Sequence, residues 1–314
     1  MRISPTQWLF LIALSILWGG SFLFVGIAIA DLPPLTIVLA RVAIAALLLL
    51  PLLPANGLTV PRAAAEWRPF LVMAILNNVI PFTLIATAQR EVTSGLASVL
   101  NATTPLFTLL ITHAFSGEEK LRANQLAGVL VGILGIAVLT GPEAIFGRTS
   151  SLLGMALCIA ACLSYGFAAH WGRRLRATPP LLSAFCQLVC STVVLAILAG
   201  AIDRPWLLQT PSPRTAVAIL GLAALSTSLA YVIFFHILSV SGASNVMMVT
   251  LLIPVSGILF GVHFLDEPLV ARHAAGALVI GCGLLLVDGR LALPGTCRRI
   301  RAPRKPLRTP HDPD

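Results

Sequence analysis

Charged positions are sparse along this chain, and the apolar runs between them recur at one length. They span about residues 8–30, 35–54, 69–88, 95–115, 123–141, 151–171, 181–201, 214–237, 243–264 and 271–288. Roughly 20 apolar residues in a helix cross a hydrocarbon core about 30 Å thick. A backbone in lipid must satisfy its own hydrogen bonds, and these runs are far longer than barrel strands, so each predicts a transmembrane helix. The expected fold class is an all-α membrane protein with ten transmembrane helices. All twelve carboxylates, and every Lys and Arg except Arg41, lie at or beyond the ends of the runs.

Composition agrees. Only 11% of the 314 residues are charged and 57% are apolar, against about 25% charged in an ordinary soluble chain. So few charges cannot cover a water-facing surface. The N-terminal run has features of a secretory signal, with Arg2 before it and Ala28-Ile29-Ala30 at its end. It is longer than a signal's apolar region of about 7–15 residues, so it is expected to remain as the first helix. The six cysteines include Cys158 with Cys162 and Cys186 with Cys190, each pair four residues apart within a helix. They read as small apolar residues, because the His and carboxylate neighbours of a metal site are missing.

Charge asymmetry sets the orientation. With the N-terminus in the cytoplasm, 15 Lys and Arg fall on the inner side and 5 on the outer; without the tail the split is 8 to 5. Cytoplasmic loops hold the excess of Lys and Arg, so both termini are expected inside. Residues 290–314 hold seven basic and two acidic residues. This basic Pro/Arg-rich tail is expected to be disordered and to lie along the anionic inner leaflet rather than on nucleic acid.

The chain is written twice, at a shift near 147–148 residues. Gly128, Gly135 and Gly141 follow Glu119 at the same intervals as Gly276, Gly283 and Gly289 follow Glu267. Pro105 matches Pro254, Ser94-Gly95 matches Ser241-Gly242, and Trp18-Gly19 falls on Tyr165-Gly166. The expected division is 1–145 and 146–289, two five-helix repeats, followed by the tail. Five is odd, so the second repeat enters the membrane inverted. Inverted repeats give the two membrane faces near-equal status, the basis of alternating access.

With these residues in place, the pattern resembles the drug/metabolite transporter superfamily, in its ten-helix EamA-type group. The resemblance rests on Trp18-Gly19-Gly20-Ser21, on Pro34 followed by Arg41, and on the proline–glutamate–glycine string in both repeats. It implies a transporter with its helices around a central cavity, exporting amino acids or other small metabolites across the plasma (inner) membrane. It names no substrate, direction or oligomeric state, and it implies no cofactor.

Several polar residues inside the spans are candidates for the cavity: Trp18, Ser21, Arg41, Asn77, Asn101, Tyr165 and Tyr231. The indole N–H of Trp18 needs an acceptor at the midplane. Arg41 could snorkel its head to the outer interface, or it could bind an anionic substrate from within. Asn77 and Asn78 precede Pro81, where their amides could satisfy backbone groups freed by the proline. Asn101, Thr103 and Thr104 precede Pro105. Ser226, Thr227, Ser228, Asn245 and Thr250 could equally bond their own helices. Gly19 and Gly20 read as close-packing positions. Glu119 and Glu267 start the last helix of each repeat, as caps in the helix dipole or as gating contacts. His236, matching Gln89, could share a cavity position. No Asp or Glu lies mid-span, which predicts little dependence of transport on a pH gradient.

Other functions fit less well. No metal-ligand spacing, Ser–His–Asp set or phosphate loop marks an enzyme, and short loops leave no room for one. A channel-like facilitator would need a ring of charge or carbonyls. A membrane scaffold remains the third alternative.

Overall fold

A computed structural model describes residues 5–116, 123–146, 151–241, 248–268 and 271–287, with Gly289 and Leu291. Glu119, Asn245 and the tail beyond Leu291 lie outside the described residues. Every long element is a helix. Seven are long and apolar enough to cross a membrane: α1 (Thr6–Ala28), α2 (Pro34–Ala55), α3 (Ala64–Ala88), α4 (Ser94–Phe115), α6 (Leu152–Leu175), α7 (Pro180–Ile202) and α8 (Pro213–Ile237). Three apolar helices are shorter: α5 (Ala123–Val138), α9 (Leu252–Phe264) and α10 (Ala271–Val287). Leu47, Ile197, Val217 and Leu278 are each at least 66% exposed. Such large apolar side chains spread over the outside of a bundle suit lipid as solvent.

Prolines open several helices. Pro34, Pro180 and Pro213 sit in the first turn of α2, α7 and α8, where a missing N–H costs nothing. Inside α3 and α8 the regular turn widens, at Ile75–Val79 and Ala224–Leu229. In α3 the cause is Pro81, which cannot donate to the carbonyl four residues back. In α8 there is no proline beyond the first turn. There the hydroxyls of Thr227 and Ser228 donate to the carbonyls five residues back, Leu222 at 2.8 Å and Ala223 at 3.0 Å. These bonds hold a π-helical turn open.

The span expected over 95–115 is two helices, Ser94–Asn101 and Thr104–Ser116. The break has a physical reason: Pro105 lacks an amide proton, and Thr103 and Thr104 donate their hydroxyls to the carbonyls of Leu100 and Asn101 instead.

The most extensive close contacts run between the two halves of the chain. α1 packs on α8 and α9, α2 on α7 and α8, α3 on α6 and α7, α4 on α6 and α9, and α5 on α10. Exchanging each segment n with n+5 maps this set of contacts onto itself. Glycines set the closest approaches. A Cβ on Gly128 would lie 2.6 Å from the Gly283 carbonyl oxygen, and one on Gly283 would lie 2.7 Å from that of Gly128. A Cβ on Gly19 would run into Ser256 of α9, whose Oγ donates to the Ser15 carbonyl at 2.7 Å.

At one end of the bundle, three carboxylates each hold a helix start on another part of the chain. Asp31, after α1, accepts from the Ser212 amide (2.9 Å) and hydroxyl (2.6 Å) before α8. Asp203, after α7, accepts from the Thr36 amide (2.8 Å) and hydroxyl (3.0 Å) in α2. Glu267, after α9, accepts from the amides of Ser94 (2.6 Å) and Gly95 (3.0 Å) at the start of α4. This corrects the expectation for Glu267. Its carboxylate is engaged at the N-terminus of α4, in the other half of the chain from the α10 it precedes, because the loop after α9 folds back over α4.

The hydroxyl of Ser212, with Thr215 and the Ser212 amide, holds the Asp31 carboxyl below its ordinary value of 3.8. A lowered carboxylate pKa stabilises the fold above the unfolded value and loses that contribution as pH falls through the folded one. The melting temperatures of the wild type and Asp31→Asn should therefore differ near neutral pH, with the wild type higher. They should converge as pH falls below 3.8, and thermal scans across that range check this.

Candidate functional site

Between the halves lies a cavity of about 430 Å³. That is the size range of pockets for small organic ligands. The widened turns of α3 and α8 face it, contributing Asn77 from one and Ser226 and Thr227 from the other. A π-helical turn leaves carbonyls out of register and turns side chains that a regular helix would not, which is why such turns gather at functional sites.

The seven cavity candidates from the sequence, Trp18, Ser21, Arg41, Asn77, Asn101, Tyr165 and Tyr231, all line this one space. Arg41 does not snorkel. It is 8% exposed, and its Nε donates to Thr227 Oγ1 at 2.9 Å. The guanidinium carbon stands 3.7 Å above the centre of the Phe82 ring. The Thr227 hydroxyl proton goes to the Leu222 carbonyl, so its oxygen is left to accept from Arg41. Two helices and one aromatic face thus fix the guanidinium. Tyr165 and Tyr231 lie close enough to interact with its charge.

An amide network forms the next part of the wall. Tyr231 donates to Asn78 Oδ1 at 3.3 Å, and Asn78 Nδ2 donates to Ser191 Oγ at 3.0 Å. Asn77 Nδ2 lies 3.3 Å from both Asn78 Oδ1 and Gln187 Oε1. The two asparagines therefore bond side chains of α7 and α8, not the backbone freed by Pro81. Asn78 is fully buried. Asn78→Ala should lower stability by about 1–3 kcal/mol, the cost of leaving buried polar partners unpaired. Tyr231→Phe, which removes a single long bond, should cost less; thermal unfolding of the solubilised protein ranks the two.

Aromatic rings form the apolar side. Trp18 packs on Phe234 with ring centres 5.6 Å apart, and Phe234 meets Phe235 at 5.2 Å. Among the described residues the indole N–H of Trp18 meets no hydrogen-bond acceptor. The break in α4 places Asn101 at the cavity, where its Oδ1 is buried without a partner; Ser226 Oγ is in the same state.

Some residues fall elsewhere. Glu267 is bound at the start of α4 and lines no part of the cavity. Gln89 Nε2 donates to the Phe22 carbonyl (2.9 Å) and Ser94 Oγ (2.8 Å), His236 packs on Phe10, and neither lines the cavity. Gln187 and Phe82 belong to the cavity and went unnoticed in the sequence. Gln187 had a signal, a lone amide inside an apolar span. Phe82 had none, since a phenylalanine in a span is ordinary.

Comparison with known proteins follows the same lines. The sequence profile described as "EamA-like transporter family" matches residues 6–141 and again 152–288. "Uncharacterized transporter YoaV" of Bacillus subtilis (strain 168) is 26% identical over 285 residues, covering 88% of this chain and 94% of that one. "Probable amino-acid metabolite efflux pump" of Escherichia coli (strain K12) is 27% identical over 289 residues, covering 86% and 91%. "Uncharacterized inner membrane transporter YedA" of the same strain is 26% identical over 286 residues, covering 90% and 91%. A solved crystal structure superposes with a TM-score of 0.63 at 18% identity, over 90% of this chain and 96% of that one. At that identity the likeness speaks for the fold alone.

Proposed function

The chain belongs to the EamA-like transporter family, and from that premise we propose that it exports small metabolites by alternating access through the central cavity. It is a multi-pass transporter of the plasma membrane and not an enzyme. In the finer reading, ten helices form two inverted five-helix repeats, 1–145 and 146–289, with both termini and the tail of 290–314 in the cytoplasm. The twofold family match, the exchange symmetry of the helix contacts and the paired widened turns support the repeats. The name of the Escherichia coli relative supports amino acids or related compounds as cargo.

The observation that carries this reading is the bond between Arg41 and Thr227, 186 residues apart. It makes the candidate site a joint property of both halves. Any motion of one half against the other must remake the site, as a carrier requires. The three carboxylate clasps lie at the end of the bundle assigned to the outer face, which supports a conformation closed there. In this reading Glu267 is the gating residue of that end, since freeing the start of α4 parts α4 from α9. No carboxylate occurs among the described lining residues, in keeping with transport that responds little to an imposed pH gradient.

Two measurements test this. Saturable uptake with counterflow in proteoliposomes is expected of a carrier; linear flux without counterflow would mean a pore. Cysteines placed singly at Asn56 and Ala177 should label from the cytoplasm, and one at Gln209 from outside. Labelling of all three from one side would refute the inverted arrangement.

A further inference from the structure

The cavity holds a cation, Arg41, with no carboxylate set against it among the described lining residues. A guanidinium has five N–H donors in a planar fork. In Arg41 the Nε–H is given to Thr227, and the Nη groups meet no acceptor among the described residues. Phe82 covers one face of the plane. What remains open is the edge of the fork, the geometry that takes a carboxylate through two parallel hydrogen bonds. Ser226 adds an independent observation. It precedes Thr227, is 1% exposed, lines the same cavity, and its hydroxyl has no partner. A buried charge without a counter-ion and a buried hydroxyl without a bond are both costly. A carboxylate on the ligand answers both.

The rest of the cavity restricts what that carboxylate is attached to. An ammonium group would bring a second positive charge and three donors. Among the described lining residues no carboxylate stands ready for it. The unpartnered Asn101 Oδ1 takes one donor, which a neutral amide N–H or hydroxyl supplies. Trp18 and Phe234 offer an apolar wall. We propose that the ligand is a small organic monoanion: a carboxylate on an apolar or aromatic body, with its amine absent or acylated. The zwitterion of a free amino acid leaves the cavity's positive charge uncompensated; the monoanion neutralises it. This rests on the cavity being the transport site only for the movement of the ligand; binding alone decides the charge class.

The test uses the full-length protein in nanodiscs and four probes that share a phenyl body. 3-Phenylpropanoate and N-acetylphenylalanine are anions, phenylalanine is a zwitterion and phenethylamine a cation. Binding is followed by quenching of tryptophan fluorescence and by thermal shift. Both anions should bind at least about tenfold more tightly than the other two, and Arg41→Gln should bring them down to the level of phenylalanine. Ser226→Ala should weaken the anions alone by about threefold and keeps the test decisive if Arg41→Gln does not fold. Equal or tighter binding of phenylalanine or phenethylamine would overturn the proposal. So would an anion preference surviving in Arg41→Gln, or no binding of any probe. Counterflow of 3-phenylpropanoate in proteoliposomes addresses the carrier reading separately. Failure there, with the anion preference intact, would refute transport and leave the ligand class standing.

Discussion

Arg41→Gln should reduce transport about 100-fold while leaving the protein as stable as the wild type or more so. Two charge-assisted hydrogen bonds to a carboxylate contribute about 1.5–3 kcal/mol each. Losing them when substrate is bound gives the expected fall, since each 1.4 kcal/mol is about a factor of ten. The empty protein has the opposite balance. A buried ion carries a desolvation penalty of several kcal/mol, which one bond to Thr227 and the Phe82 face offset in part. Glutamine can keep a bond to Thr227 and carries no charge. Arg41→Lys keeps the charge but loses the planar fork, so it should fall between the two. Transport and melting temperature measured on the same preparations separate a binding role from an anchoring one. An anchor would lose both together, and a transport-competent Arg41→Gln protein would end the case for the site.

Gly128→Val or Gly283→Val should have the largest effect on the fold. The Cβ of either would meet backbone, 2.6 Å from the Gly283 carbonyl oxygen or 2.7 Å from that of Gly128. Backbone cannot rotate away as a side chain can, so α5 and α10 must separate. Lipid tails supply no hydrophobic force to press helices together again, and close van der Waals contact is most of what holds them. Overpacking inserted side chains typically costs about 1–3 kcal/mol, and contact with backbone belongs at the upper end of that range. The folded fraction after heating in detergent should drop sharply for either variant. The double variant should cost less than the two added, because both separate the same pair of helices. Gly20→Ala is the internal control, with no atom nearer than 3.7 Å to the added methyl. If Gly128→Val melts with Gly20→Ala, the α5–α10 contact does not hold the bundle.

Other parts of the molecule divide along the same physical line. The Trp18 and Tyr165 pairing was legible because a duplicated chain carries its own alignment, and the structure puts both rings on one cavity. Gly128 and Gly283 were legible as members of the repeated glycine string, but only the structure sets each against the other's backbone. The break at Ala102–Thr103 was half-legible: Pro105 announces a fault in the helix, but only the hydroxyls of Thr103 and Thr104 decide how it is capped. The place of Glu267 was not legible. Its charge called for a helix N-terminus, and any of several lies within reach of the loop that carries it.

What the sequence determined by itself is what lipid demands of each segment separately: which stretches are long and apolar enough to enter, that they are helices, and which residues inside them are costly enough to need a reason. Those are local quantities, fixed by side-chain transfer and backbone hydrogen bonding along one run of residues. Which way each helix turns its faces was decided only by the tertiary structure. Arg41 could reach outward to the interface or inward to Thr227, and nothing near it in the chain distinguishes the two. The choice is made by α8, 186 residues on, because an acceptor and an aromatic face fixed in place by the fold compete with water at the membrane surface.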